Sequence, residues 1–446
     1  LPSEVLQVIL RNIGGCDFTN FKRASKRSNS VANDLERRSK PSVWKRFVFQ
    51  DFLRPCIECL APWISSSDDN DLILWKGLYI RLYRTSILKG KTIFVSKKLT
   101  YSEGAQLVND VKFFYNHLFL IISPKLGNFI HLADRMRRRA HMKSANPESQ
   151  LPCCDLILSP ASLVIEGASN SDIILRTIEA SCPLQEELPE TGDLITYVCL
   201  NHAGDFSKGA FMSVWGDTCI IYRRECLYEE KDIRIFSYKH SSDVDLIRTI
   251  SLKTSLIGVV SLAYNEDRVV VVCTNRIICL FENASAYIVP VFQYTMSKEP
   301  LKVKMLGDFI IVLFDDGDIE TTHVLTSDVM TLADWQQLDL SELEETHCPI
   351  LKYSLFRIMD IILQGHLFAF ITDFGFLFIS YLDSLDHECL VRNLQHACDV
   401  PLNPDGFVSR MTVDQEDGLK FAVVERFYNV SMWVSAVHVI SIDLLQ

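Results

Sequence analysis

Four side chains able to ligate a metal fall in one short stretch. In "DHECLVRNLQHACDV" these are His387, Cys389, His396 and Cys398. Imidazole and thiolate both suit zinc, yet His-x-Cys-x6-His-x-Cys is not the spacing of a standard closed site. Ordinary surface and core residues of an inter-strand segment account for the same four. Cys56 and Cys59 in "CIEC" have metal-knuckle or redox spacing. No second pair follows at a suitable distance, so two helical cysteines on successive turns explain them. "DFG" at Asp373–Gly375 matches a kinase triplet, but the chain has neither a glycine-rich phosphate loop nor a His-Arg-Asp catalytic loop. The triplet reads as a hairpin turn. No Gly-x-Ser-x-Gly elbow occurs, and the eleven histidines are scattered without a readable nucleophile–base pair. The expectation is a non-enzyme with no metal and no cofactor.

One charged run has binding chemistry instead. "DRMRRRAHMK" places Arg135, Arg137, Arg138 and Arg139 in an otherwise acidic region. Guanidinium pairs bidentately with phosphate and carboxylate, so a basic loop here could take an acidic or phosphorylated peptide. A solvated loop is the alternative. The sequons at Asn283 and Asn429 matter only in a secreted protein and are read as chance.

Composition narrows the partners. The chain has 446 residues, 48% hydrophobic and 23% charged, a core-building balance. Its net charge of −11 disfavours nucleic acid, which needs a basic face. The charge is uneven. Residues 1–60 carry eleven Lys/Arg against six Asp/Glu, a net +5, and the remainder thirty-four against fifty, a net −16. A small basic module on a large acidic one suggests that the first meets an acidic protein surface. The 14 cysteines are scattered as in a reduced protein, and no signal peptide is read, which points to cytoplasm and/or nucleus. The apolar stretch Leu355–Leu382 contains Asp360 and Asp373, which a spanning helix would bury at high cost. Two strands around a turn at Asp373–Gly375 explain it without a membrane.

The elements that must present these residues begin with "LPSEVLQVILRNI". Val5, Leu6, Ile9, Leu10 and Ile13 recur at helical spacing, Pro2 and Glu4 suit a first turn, and Gly14–Cys16 stops the helix. Asp17 is placed to cap a second helix over 18–35 that carries Phe18, Phe21, Val31 and Leu35. Its other face bears Lys22, Arg23, Lys26 and Arg27. A third helix near "KPSVWKRF" carries Trp44 and Phe47. Three short helices are too few for a stable core alone, so they either cap the large domain or dock a partner.

This stretch resembles an F-box. That family runs Leu-Pro-x-Glu-(Ile/Val)-Leu, then Ile-Leu, a turn with Asp, a Leu-rich second helix and a Trp opening the third. Leu1, Pro2, Glu4, Val5, Leu6, Ile9, Leu10, Ile13, Asp17, Phe18, Phe21 and Trp44 stand at matching positions. Phe18 and Phe21 replace the usual Leu, and Ser25 and Ser28 stand where Cys and Trp are frequent. The resemblance covers residues 1–52. It implies binding to the Skp adaptor and, through it, to cullin and RING subunits of an SCF-type ubiquitin ligase. Leu1, Pro2, Glu4, Val5, Leu6, Ile9, Leu10, Phe18, Phe21 and Trp44 would then contact the adaptor.

Residues 53–90 read as a helical linker, with a polar break at 65–71 and then an amphipathic helix carrying Trp75, Leu78, Tyr79 and Leu82. From 91 to 446 the period changes to that of strands. Seven segments read as strand–turn–strand: "HLFLIISPKLGNFIHLA", "DLILSPASLVIEG", "AFMSVWGDTCIIYRR", "RVVVVCTNRIICLFE", "DFIIVLFDDGDIETTHV", "HLFAFITDFGFLFISYL" and "LKFAVVERFYNVSMWVSAVHVISI". Their roughly 40–60-residue spacing is that of propeller blades. The expected fold is mostly β with a small α N-terminal module: a divergent seven-bladed β-propeller, with a pair of β-sandwiches as runner-up. The expected function is a substrate receptor of an SCF ligase that holds an unidentified protein on the propeller. The alternative is a propeller scaffold or adaptor-binding protein acting outside a cullin ligase.

Overall fold

The computed structural model describes residues 3–60, 72–86, 88, 93–102, 107–108 and 110–114, the strands alone from 117 to 273, and then 276–282, 292–326, 330–339, 356–414, 419–429 and 432–444. Leu1 and Pro2, the polar break before residue 72, and Arg135 lie outside the described residues.

Six helices come first: α1 (Ser3–Leu10), α2 (Gly15–Ala24), α3 (Lys26–Arg38), α4 (Val43–Asp51), α5 (Arg54–Leu60) and α6 (Leu72–Ser86). The single helix expected over 18–35 is two. It breaks at Ser25, whose hydroxyl accepts the N–H of Ser28 at 3.0 Å and caps α3. Serine competes for backbone groups in this way wherever a helix can restart. Asp17 is not the cap of α2 either. That helix starts earlier, with Gly14 as N-cap, because the Asp51 carboxylate reaches across from α4 and accepts the Gly15 N–H at 2.9 Å. Tyr79 of α6 donates to the same carboxylate at 2.8 Å.

Leu10, Phe18, Leu35, Trp44, Phe47, Trp75, Leu78, Tyr79 and Leu82 form one core. The amphipathic helix of the expected linker is therefore the element that completes the core of the first four helices. This answers how so short a helical stretch is stabilised: α6 supplies the missing apolar face.

The β region consists, among the described residues, of seven antiparallel sheets. Sheet 1 spans 110–141, sheet 2 156–200, sheet 3 210–252, sheet 4 259–295, sheet 5 300–337, sheet 6 358–399 and sheet 7 407–444. Within sheets 1 to 6, strands adjacent in sequence pair in order, except that Gln336–Gln337 of sheet 5 pairs back onto Ile319–Thr326. Each of the seven expected hairpins lies in a different sheet. Sheet 7 has only three strands of its own, and its fourth is Ile93–Ser102, paired along Met432–Leu444. The first strand among the described residues thus fastens the last sheet. First strands of neighbouring sheets lie side by side at the junctions 3/4, 4/5, 5/6, 6/7 and 7/1. Consecutive sheets placed first strand to first strand, with the last completed by the first strand of the region, make a fold of β-propeller type.

Two sequence expectations are corrected here. The stretch Leu355–Leu382 holds three strands, Ile358–Gln364, Leu367–Thr372 and Phe376–Tyr381, because a second turn falls at Gly365. The basic run is not a loop throughout: Arg137–His141 is the edge strand of sheet 1, paired with Leu126–His131. Hydrogen bonding to a neighbour recruited it, and the arginine-rich composition gave no sign of that. Charged side chains are common on such edges, where they discourage pairing with other chains.

The helical unit sits on sheets 5 and 6. Their turns between first and second strand, at Gly307 and Gly365, abut α5. Gly365 has φ +57°, and its N–H donates to the Cys59 sulfur at 3.5 Å. A Cβ there would lie 2.7 Å from Leu60 Cδ1. Phe52 and His366 pack ring to ring at 5.7 Å. Gly365→Ala therefore meets both a left-handed backbone and a filled space. It should cost about 1–2 kcal/mol and raise amide exchange in α5 ahead of the sheets. Exchange unchanged in α5 would mean that this turn does not anchor the helices.

Candidate docking face

The helical unit folds most of its apolar residues inward; among the described residues Phe49 of α4 and Ile80 of α6 stay exposed singly, and α1 alone presents a contiguous strip. Leu10 is buried, and Leu6 and Ile13 pack against the core. Val5, Val8 and Ile9 are 41, 59 and 44% exposed. At 100° per residue these three share a contiguous arc beside the buried one. The stripe read from sequence is thus split: Leu6, Leu10 and Ile13 hold α1 in place, and Val5 and Ile9 face outward with Val8, which was not singled out. Val8 was legible in principle as an apolar residue three after Val5. The Arg46 guanidinium donates to the Leu10 carbonyl at 3.3 Å, so the end of α1 is fixed as well as its inner face.

Phe18 and Trp44 are buried, and Phe21 is partly so. The Trp44 indole N–H donates to Glu36 Oε1 at 2.9 Å, and Lys22 pairs with Glu36 Oε2 at 2.8 Å. These residues shape the unit beneath the strip. Arg23, Lys26 and Arg27 are exposed at the end of α2 and the start of α3.

The cysteine and histidine motifs do not form a reactive centre in the described structure. Burial pushes both the Cys56 and the Cys59 thiols above their ordinary value, whereas thiol nucleophiles and metal ligands act as thiolates. His387 faces Thr321, its Nδ1 2.9 Å from the hydroxyl. Cys389 donates to Asp383 at 2.7 Å. Burial holds Cys398 up at about 11. Among the described residues no group of three or more His, Cys, Asp or Glu could hold a metal ion. Asp373–Gly375 is the turn between the second and third strands of sheet 6, with Gly375 at φ +82° and its N–H bonded to the Thr372 carbonyl. No helix among the described residues is long and apolar enough to cross a membrane.

A different polar cluster, unforeseen in the sequence, pins sheet 7. Glu425 is fully buried. It accepts from His438 Nε2 at 2.9 Å and from the Asn403 amide at 3.1 Å to each oxygen. With Nε2 donating, His438 Nδ1 accepts from the Thr100 hydroxyl at 3.1 Å. Burial raises the Glu425 pKa, but the His438 and Asn403 hydrogen bonds outweigh it, and the net shift is downward.

No family model matches this chain. No curated protein matches it in sequence either. Solved structures do match in fold. Raptor from Chaetomium thermophilum matches with TM-score 0.53 at 11% identity, over 84% of this chain and 33% of that one. YCF48 bound to D1 peptide matches with TM-score 0.50 at 11% identity, over 80% of this chain and 99% of that one. The β-propeller domain of Cps50 (Swd1) from Myceliophteria thermophila matches with TM-score 0.46 at 10% identity, over 77% and 99%. These neighbours are β-propellers, and at such identities the likeness concerns the fold alone.

Proposed function

We propose that this chain is the substrate-recognition subunit of an SCF-type ubiquitin ligase, with a Skp adaptor bound on α1 and a target protein held by a seven-bladed propeller. The observation that carries the reading is the exposed strip Val5–Val8–Ile9 on a helix whose other apolar residues, Leu6 and Leu10, already pack into the core. An apolar strip left open beside a completed core is what a helix-docking partner would cover. The F-box resemblance of residues 1–52 supports the same partner, and the basic residues Arg23, Lys26 and Arg27 would steer an acidic one. Such a protein performs no chemistry of its own. It brings a target near a loaded ubiquitin carrier, and the docking of α5 on sheets 5 and 6 would keep that geometry fixed.

Pull-down with purified Skp adaptor tests this directly. Val8→Asp combined with Ile9→Asp places two charges on the strip without entering the core. The native chain should bind and the double variant should lose binding by a hundredfold or more, at roughly 2 kcal/mol per buried anchor. Equal binding by both would reject the strip as the adaptor contact. Adaptor binding without cullin in the same complex would favour a scaffold acting outside the ligase.

A further inference from the structure

The turns of each sheet separate the β region into two faces. Turns between first and second strands, at Gly307 and Gly365, meet the helical unit. Turns between second and third strands lie at the other strand ends, about 20 Å away for strands of six residues. On that far face sheet 7 exposes a group of aromatics. Phe407 opens its first strand, and Tyr428 and Trp433 stand directly opposite each other across the hairpin that continues to Asn429 and Met432. Trp433 lies 5.7 Å from Phe407 and 5.6 Å from Tyr428, edge to face with both. They are 38, 54 and 47% exposed in the order Phe407, Tyr428, Trp433, with Met432 at 46%. Phe374, 56% exposed, tips the corresponding turn of sheet 6. Val400 bonds to the Gly375 carbonyl, so residues 400–406 run from that turn to Phe407 across the same face.

Among the described residues of this face, the charge to spare has one sign. Asp315, Asp316, Asp318, Asp373 and Asp405 all lie at its turns. Among the described residues its cations are already engaged within the chain: Lys298 pairs with Asp316 and Asp318, Arg276 pairs with Glu299, Arg357 donates to the Asp315 carbonyl, and Arg426 donates to the Val108 carbonyl. Arg410 is engaged as well. Among the described residues Asp315 and Asp405 have no ion-pair partner. Residues 61–446 as a whole carry a net −16, thirty-four basic against fifty acidic.

We propose that this far face docks a basic, extended peptide segment of a partner protein, with a lysine or arginine over the Phe407–Tyr428–Trp433 cluster and neighbouring cations near Asp315 and Asp405. Exposed aromatic faces attract cations through their quadrupole, and tryptophan and tyrosine are the residues most often dominant at interfaces. The acidic turns add the complementary field. As an account of the target, the proposal rests on the substrate-receptor reading. As a binding site it stands on its own geometry.

The test selects from a random dodecapeptide display library on the immobilised full chain, with an unrelated acidic protein as control. A synthetic copy of the most enriched peptide is then titrated by fluorescence anisotropy. The expected peptides carry Lys or Arg beside an apolar residue. Their affinity should fall about tenfold or more on Trp433→Ser, on Tyr428→Ser, and on Asp315→Lys with Asp405→Lys. Unchanged thermal unfolding identifies the variants that remain folded, and two separate aromatic sites guard against one failing to fold. No enrichment over the control, enrichment without a cationic bias, or affinities within twofold of native in the folded variants would overturn the proposal. Adaptor binding is measured on the same preparations. Peptide binding without adaptor binding would remove the ligase reading and keep this site, and the reverse would remove this site alone.

Discussion

Glu425→Ala is expected to be among the most destabilising single changes in the β region, at about 3–5 kcal/mol. The carboxylate is fully buried and bound by His438 and Asn403, and His438 in turn engages Thr100 of the strand that completes sheet 7. Its removal strands the buried His438 donor, leaves the Asn403 amide to solvent, and loosens the attachment of Ile93–Ser102. Denaturant unfolding should show the loss, with amide exchange in 93–102 rising first. The pH dependence follows from the direction of the shift. Glu425 titrates lower in the folded chain than in the unfolded one. Its stabilisation is therefore complete above the ordinary carboxylate pKa of about 4.3 and is lost as pH falls through the folded value. The acid limb of the native stability curve should flatten in Glu425→Gln. An unchanged limb would assign the acid sensitivity to other carboxylates.

Trp44→Ala should cost a comparable 3–5 kcal/mol in the helical unit, as a large aromatic lost from a core. Trp44 is 2% exposed and packs on Phe18, Phe47 and Tyr79 with ring centroids 5.7, 5.5 and 5.2 Å away. It also leaves Glu36 with Lys22 as its remaining side-chain partner at 2.8 Å. Far-UV circular dichroism during denaturation should show the helical signal lost at lower denaturant than in the native chain. Val8→Asp with Ile9→Asp, on the exposed strip, should leave that midpoint within about 0.5 kcal/mol. If Trp44→Ala kept the native midpoint while losing adaptor binding, Trp44 would be a contact residue and not a core one.

These two sites mark what local sequence encodes and what it does not. The seven hairpins were legible because strand alternation and turn residues act over a few positions, and Gly317 and Gly375 take the left-handed conformations that such turns require. The first helix was legible from its period. The division of its stripe was not, because Leu6 and Leu10 turn inward only against a core completed by α6, beyond the break in the sequence. The capping of α2 by Asp51, 36 residues from Gly15, is equally non-local. Thr100 and His438 are separated by 338 residues, and nothing in either neighbourhood signals the other. Local pattern thus suffices for a mostly β chain of repeated hairpins behind a short amphipathic helical stretch. Which apolar side chains stay exposed, and which strand fastens the last sheet, depend on partners that folding brings together from far apart in the chain.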